Sequence, residues 1–233
     1  MVEAAAAAEI KAFLTGASHR SLDALIPQFE RASGHKIASE YALPPVLVKR
    51  VDAGDPFDVL ILSYDVEGLV KQGKLVADSR TVLGRIGSGV AVHTGMPKPD
   101  FSTVDKFKRM LLDAKSFATS GEGSSGRYVA SLVDRLGIPE VKSKIKSGPG
   151  GTTAKLLSSG EVDFVVSGLP PLIGAPNIEW LGYLPDEINS WLLFTGGVGV
   201  HAKEPAAGRA FLKFLASPAA AAVWKENGLE PAP

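Results

Sequence analysis

The run "PFDVLILS", residues 56–63, constrains the fold more than any other stretch of the chain. Four large apolar residues follow Asp58 without a polar interruption, from Val59 to Leu62. A strand of that kind is covered on both faces, which is the habit of parallel sheets flanked by helices. Its neighbours agree. "EIKAFLTG" (9–16) and "HKIASEYA" (35–42) read as strands, and "PPVLVKRVDAG" (44–54) reads as a helix opened by prolines. Between the first two strands, "SLDALIPQFERASG" (21–34) sets Leu22, Leu25, Ile26 and Phe29 on one helical face and stops at Gly34.

The strand-then-helix rhythm continues. "YDVEGLVKQGKLV" (64–76) is helical and "RIGSGVAVHTG" (85–95) is a glycine-rich strand. The middle third holds helices in "FSTVDKFKRMLLD", "RYVASLVDRLG" and "TTAKLLSSG", with strands in "SFATS" and "VDFVVSG". "SWLLFTGGVGVHA" (190–202) is a long apolar strand, and two C-terminal helices break at Pro218. The class expected is α/β, in two lobes of mostly parallel sheet flanked by helices, with a ligand cleft between them. Lobe 1 comprises residues 1–85 plus 200–233 and lobe 2 residues 86–199, joined by hinge strands near 85–95 and 194–201.

Bulk properties exclude several classes of function. Lys plus Arg and Asp plus Glu each total 25, so no polyanion partner or acidic membrane surface is called for. The chain has no cysteine, which removes disulfides, thiolate metal sites and a cysteine nucleophile. Its four histidines, His19, His35, His93 and His201, are scattered without metal-ligand spacing. No apolar run approaches the ~20 residues of a membrane span, and the first residues lack the pattern of a signal peptide. Neither nucleic acid nor membrane insertion is expected.

The polar turns carry the functional reading. Ser18, His19, Arg20 and Ser21 open the first helix, where backbone N–H groups and the helix dipole favour an anion. "ALPPV" opens the second with Pro45 and Val46, and Ser63 closes the buried strand. "TSGEGSSGR" (119–127) brings Ser124, Ser125, Gly126 and Arg127 to a helix mouth, and "SGPGGTTAK" brings Gly150, Gly151 and Thr152 to another. Ser167 ends "VDFVVSG". These turns sit at the carboxyl ends of strands, where open α/β sheets place ligands, and they point to a small anion held largely by neutral dipoles. Gly121, Gly123 and Gly126 match G-x-G-x-x-G, yet the acidic partner of a dinucleotide site is missing. No nucleophile elbow or phosphate loop is present, and no oriented acid/base pair is expected. Tyr41, Tyr64, Tyr128 and Tyr183 read as half-buried packing residues or pocket walls.

Taken in order, five segments resemble the type II periplasmic solute-binding proteins, in particular the molybdate-binding receptors of ABC importers. They are "LTGASHRSLDALIPQFERASGHKIASEYA", "PPVLVKRVDAGDPFDVLILSYDVEGLVKQGKLV", "SSGRYVASLVDRLGI", "KLLSSGEVDFVVSG" and "AFLKFLASPAAAAVWKENGLEP". The resemblance implies a monomeric, non-enzymatic, periplasmic receptor without cofactor that captures a small anion, closes by hinge motion and presents its ligand to an ABC permease. It sets Ser18 against an oxyanion, gives Ser125 a backbone donor role and places a further donor at Gly150 or Gly151. Two positions depart from the pattern. Pro44 or Pro45 stands where the family has a serine, leaving the Val46 and Leu47 N–H groups as substitutes, and Ser167 or Gly168 stands where it has a tyrosine. Arg20 in place of a small polar residue suits a carboxylate at least as well as a tetrahedral oxyanion. The alternatives are a cytoplasmic sensor or carrier of the same fold and a nucleotide-using enzyme.

Overall fold

The computed structural model describes residues 7–120, 124–148 and 152–231. The chain divides into two compact units, residues 1–85 with 192–233 and residues 86–191. The first is built from β1 (Glu9–Thr15), α1 (His19–Ser33), β2 (Lys36–Ala42), α2 (Pro44–Asp52), β3 (Val59–Leu62), α3 (Glu67–Lys71) and β4 (Thr81–Ile86). The second holds β5 (Gly89–His93), α4 (Val104–Asp113), β6 (Phe117–Ala118), α5 (Ser124–Arg135), β7 (Ile145–Lys146), α6 (Thr152–Ser158), β8 (Phe164–Ser167) and β9 (Ile178–Tyr183). The chain then returns to the first unit as β10 (Leu192–Val198), α7 (Pro205–Leu215), α8 (Pro218–Glu226) and β11 (Glu230–Pro231).

The sheet of the first unit runs β11-β4-β10-β3-β1-β2. β1 pairs in parallel with β2 over its whole length and with β3 from Ala12 to Leu14. All four residues of β3 are buried, as its uninterrupted apolar sequence requires. α1 covers one face with Leu22, Leu25 and Phe29, a spacing that returns each side chain to the same side of the helix. Phe29 meets Phe211 and Phe214 of α7 at ring-centroid distances of 5.0 and 5.6 Å. The other face carries Phe13, Leu47, Val51, Leu60, Leu62 and Val66. Gly34 ends α1 in the left-handed conformation, φ 78°, donating its N–H to the Glu30 carbonyl.

The second sheet runs β7-β6-β8-β5-β9. β6 lies parallel to β7 and β8, whereas β5 is antiparallel to both β8 and β9. The strand placement expected near the connections is corrected here. β5 lies inside the second sheet and β10 inside the first, paired antiparallel with β3 from Thr195 to Val198. The chain therefore changes unit at 85/86 and 191/192, not at 199/200, because β10 is committed to ladder hydrogen bonds of the first sheet. β9, half-buried along its length, is a strand that the hydrophobic pattern did not announce.

Asp58, at the foot of β3, is 4% exposed. Its Oδ2 accepts the Lys11 N–H at 2.8 Å and its Oδ1 the Glu204 N–H at 2.9 Å, tying β1 to the start of α7. Thr195 does the same at the other end of β3, where its hydroxyl donates to the Tyr64 carbonyl at 2.7 Å and accepts the Val66 N–H at 3.0 Å. Replacing the buried Asp58 by Ala leaves two part-buried N–H groups without an acceptor. Denaturant unfolding of Asp58→Ala is expected to show a loss of about 2–3 kcal/mol, the range for orphaned buried partners.

Candidate functional site

Three parallel neighbours, β2, β1 and β3, end at the same edge of the first sheet, so residues 15–20, 42–46 and 63–66 lie side by side there. The turn between β1 and α1 is the most polar of the three. Ser18 is 1% exposed and its hydroxyl donates to the Thr15 carbonyl at 2.8 Å. Its hydrogen is thus used within the turn, contrary to the expectation that it faces an oxyanion. The Thr15 hydroxyl, in a residue with no exposure, has no hydrogen-bond partner among the described residues. Arg20 is exposed on the first turn of α1 and makes no ion pair among those residues.

His19 occupies the same turn, and it is not alone. Its Nδ1 lies 3.1 Å from Asp23 Oδ2, one helical turn onward, with both side chains about half exposed. An ionised carboxylate only accepts, so Nδ1 carries the hydrogen and Nε2 is left as the basic nitrogen. Asp23 Oδ1 accepts the Tyr41 hydroxyl at 3.2 Å, and the Tyr41 ring packs on the imidazole with centroids 4.3 Å apart. Burial, and then the Asp23 charge, push the Tyr41 hydroxyl well above the ordinary tyrosine range, so it stays a neutral donor. An oriented acid/base group is therefore present where none was expected. Its His19–Asp23 half was written in the i, i+4 spacing. Tyr41 arrives from the end of β2 and only the sheet register brings it there.

The start of α2 is closed to anions. Pro44 and Pro45 have no N–H, and the Val46 and Leu47 N–H groups both donate to the Leu43 carbonyl, at 2.9 and 3.1 Å. The Val46 and Leu47 N–H groups, expected to stand in for the donor lost at Pro44 or Pro45, are thus engaged. What this turn offers instead is apolar surface, with Leu43 70% and Val46 48% exposed, and Tyr64 adds a 41% exposed ring after β3. Ser63, partly exposed, lies in the loop that Thr195 pins.

In the second unit, the Gly126 N–H donates to Ser120 Oγ at 3.2 Å, so this member of the α5 turn is occupied. Ser124 and Ser125 stand in the first turn of α5, but their side chains, like the glycine turn at 121–123 and Gly150 and Gly151, lie outside the described residues. Arg127 is exposed and interacts within the protein, and Thr152 is the half-buried first residue of the short helix α6. Ser167 has no exposure and Thr119 is 3% exposed, and neither hydroxyl has a partner among the described residues. Thr15 and Thr119 were missed from sequence because nothing in a single residue type signals a buried hydroxyl left unpaired, whereas Asp23 was missed although its i, i+4 spacing from His19 was there to be read.

With this geometry in hand, comparison with known proteins is decisive for the family. Residues 10–230 match the bacterial extracellular solute-binding proteins. The chain belongs to that family. Its fold follows that of the substrate-binding domain assigned to a molybdenum ABC transporter from Clostridium difficile, at TM-score 0.84 and 16% identity, covering 97% of this chain and 100% of that one. The periplasmic molybdate-binding protein of Azotobacter vinelandii superposes at TM-score 0.64 and 18% identity, covering 96% and 100%. A sequence relative changes the functional picture. An aconitate isomerase from Pseudomonas sp. is 31% identical over 215 residues, 89% of this chain and 82% of its own. The expectation of a non-enzymatic receptor is corrected by that relative, since a protein 31% identical over most of this chain is named an enzyme. Among the described residues of this solute-binding chain, no helix is long and apolar enough to cross a membrane.

The two hydroxyls of the β1–α1 turn should separate in a stability experiment. Ser18→Ala removes a made hydrogen bond and is expected to cost about 1 kcal/mol, whereas Thr15→Val replaces an unpaired hydroxyl by a methyl of the same shape and is expected to be neutral or stabilising. Urea unfolding of both variants checks the pair.

Proposed function

We propose that this chain binds a small unsaturated polycarboxylate of the aconitate class and isomerises it by moving an allylic proton. The observation that carries the reading is the His19–Asp23–Tyr41 group beside Arg20 on the first turn of α1. The 31% identical aconitate isomerase supports the choice of substrate class. So does the surface around the turn: a closed α2 mouth and exposed Leu43, Val46 and Tyr64 suit a carbon skeleton better than a tetrahedral oxyanion.

The chemistry asks little of the protein. Aconitate carries a methylene next to its double bond, and its carboxylates delocalise the charge left when a methylene proton departs. His19 Nε2 takes that proton, and the C–H electron pair becomes a new double bond. The old π pair accepts a proton at its far carbon. Double bond and methylene exchange places on the three-carbon backbone, so the geometry can change between cis and trans with no net gain or loss of atoms or electrons. Asp23 holds the imidazole in its working tautomer and steadies the imidazolium, as a carboxylate does for a catalytic histidine. Arg20 holds a substrate carboxylate and offsets the charge that develops on it.

Family membership favours a second reading, in which the chain delivers a captured solute to an ABC permease outside the cytoplasm as a monomer. Incubating the protein with trans-aconitate and separating the isomers by chromatography decides between the two. Conversion is expected with wild type, reduced at least about 100-fold in His19→Ala, the scale of general base catalysis. Asp23→Asn is expected to lose about 10- to 100-fold in kcat with little change in KM, because the carboxylate acts through the imidazole. Binding without conversion would leave the receptor reading in its place.

A further inference from the structure

Tyr41 reaches the first turn of α1 from the neighbouring strand, and the alternation of β2 accounts for it. Glu40 points to the α2 side of the sheet, where its carboxylate pairs with Lys11 at 3.2 Å and with Arg50 at 2.6 Å. The next residue along a strand faces the opposite way, so Tyr41 stands on the α1 side, half-buried, with its backbone fixed in the ladder to β1. Few groups meet there. His19 has the Asp23 carboxylate on its own helix, the Tyr41 ring from β2, and Arg20 beside it on the same turn. Asp23 divides its two oxygens, Oδ2 to His19 at 3.1 Å and Oδ1 to the Tyr41 hydroxyl at 3.2 Å. Burial, and then the Asp23 charge, keep the phenolic hydrogen on Tyr41, so this residue is not the acid that returns a proton to the substrate. A half-exposed pair on one helical turn does not fix its own geometry, because both side chains can swing into water. Without an acceptor held at Nδ1, nothing decides which imidazole nitrogen carries the hydrogen.

We infer that Tyr41 is the positioning residue of the His19 base: its ring, with centroids 4.3 Å apart and planes at 59°, sets the imidazole plane, and its hydroxyl orients the Asp23 carboxylate that keeps the hydrogen on Nδ1. For its catalytic consequence this rests on the isomerase reading, and it adds the source of the rigidity that an exposed helix terminus lacks. The sheet supplies it, through one side chain that touches both members of the pair.

Long-range proton–nitrogen correlation NMR of isotope-labelled protein at mildly alkaline pH tests it, because the spectra read the His19 tautomer with no turnover needed. His19→Ala assigns the resonances. Wild type is expected to carry the hydrogen on Nδ1, with the His19 ring protons displaced by the ring current of Tyr41. Tyr41→Leu is expected to give the averaged nitrogen shifts of mixed tautomers. With trans-aconitate as substrate it is expected to lose about tenfold in kcat with KM within about threefold, the scale of a weakened general base. Tyr41→Phe, which keeps the ring and its packing, is expected to retain the ring-current displacement, to mix the tautomers and to lose less in kcat. A single Nδ1–H tautomer in both variants overturns the inference whatever their rates, and so do mixed tautomers in wild type. Failure of wild type to convert trans-aconitate overturns the isomerase reading, while the tautomer still decides whether Tyr41 holds the imidazole.

Discussion

Parallel pairing of β2, β1 and β3 is the constraint on which the rest depends. Parallel neighbours cannot be joined by a tight turn, so each connection leaves from the carboxyl edge and returns through a crossover. The buried strand β3 demands cover on both faces, which α1, α2 and α7 provide. As a result three loops that are distant in sequence end at one edge, held there by backbone hydrogen bonds and, after β3, by the Thr195 hydroxyl.

At that edge the local rules of helices decide what each turn can do. α1 begins with residues free to act, because its apolar stripe starts only at Leu22 and leaves His19, Arg20 and Asp23 on the open side. Pro27 lies within the helix and has no N–H to give the Asp23 carbonyl, yet α1 continues to Ser33 on its buried face. α2 begins with two prolines and spends its first two N–H groups on Leu43. One turn thus presents an imidazole with an aligned carboxylate, and the next presents hydrocarbon. The fold is shared with a molybdate-binding protein, and function resides in the side chains such turns present rather than in the fold.

The α/β class and most elements were legible because period and punctuation agree. Leu22, Leu25 and Phe29 keep helical spacing, Gly34 stops the helix, and Val59 to Leu62 have no polar break. β9 was not legible, since its six residues are all half-buried and Gly182 interrupts them at φ 130°. β10 was read as a strand but placed at a connection, because its glycines suggested a passage between lobes. They instead admit close neighbours, with Gly196 against Leu212 and Ile61. The site was legible as a helix mouth and not as an acid/base group. His19 and Asp23 declare themselves by spacing, but Tyr41 is 18 residues from Asp23 and only parallel pairing delivers it. No sequence pattern says that the Ser18 hydroxyl turns back on Thr15 or that the α2 amides are used up.

Whether the proton moves is the question on which the isomerase reading turns, and a label answers it. Trans-aconitate deuterated at its methylene, followed by deuterium and proton NMR during incubation with the protein, distinguishes a proton shift from rotation about the double bond. A shift moves the double bond onto the labelled carbon, so deuterium is predicted at the vinyl position of the product, with the other deuteron gone from that carbon. Isomerisation in which both deuterons remain on the methylene would contradict a base at His19.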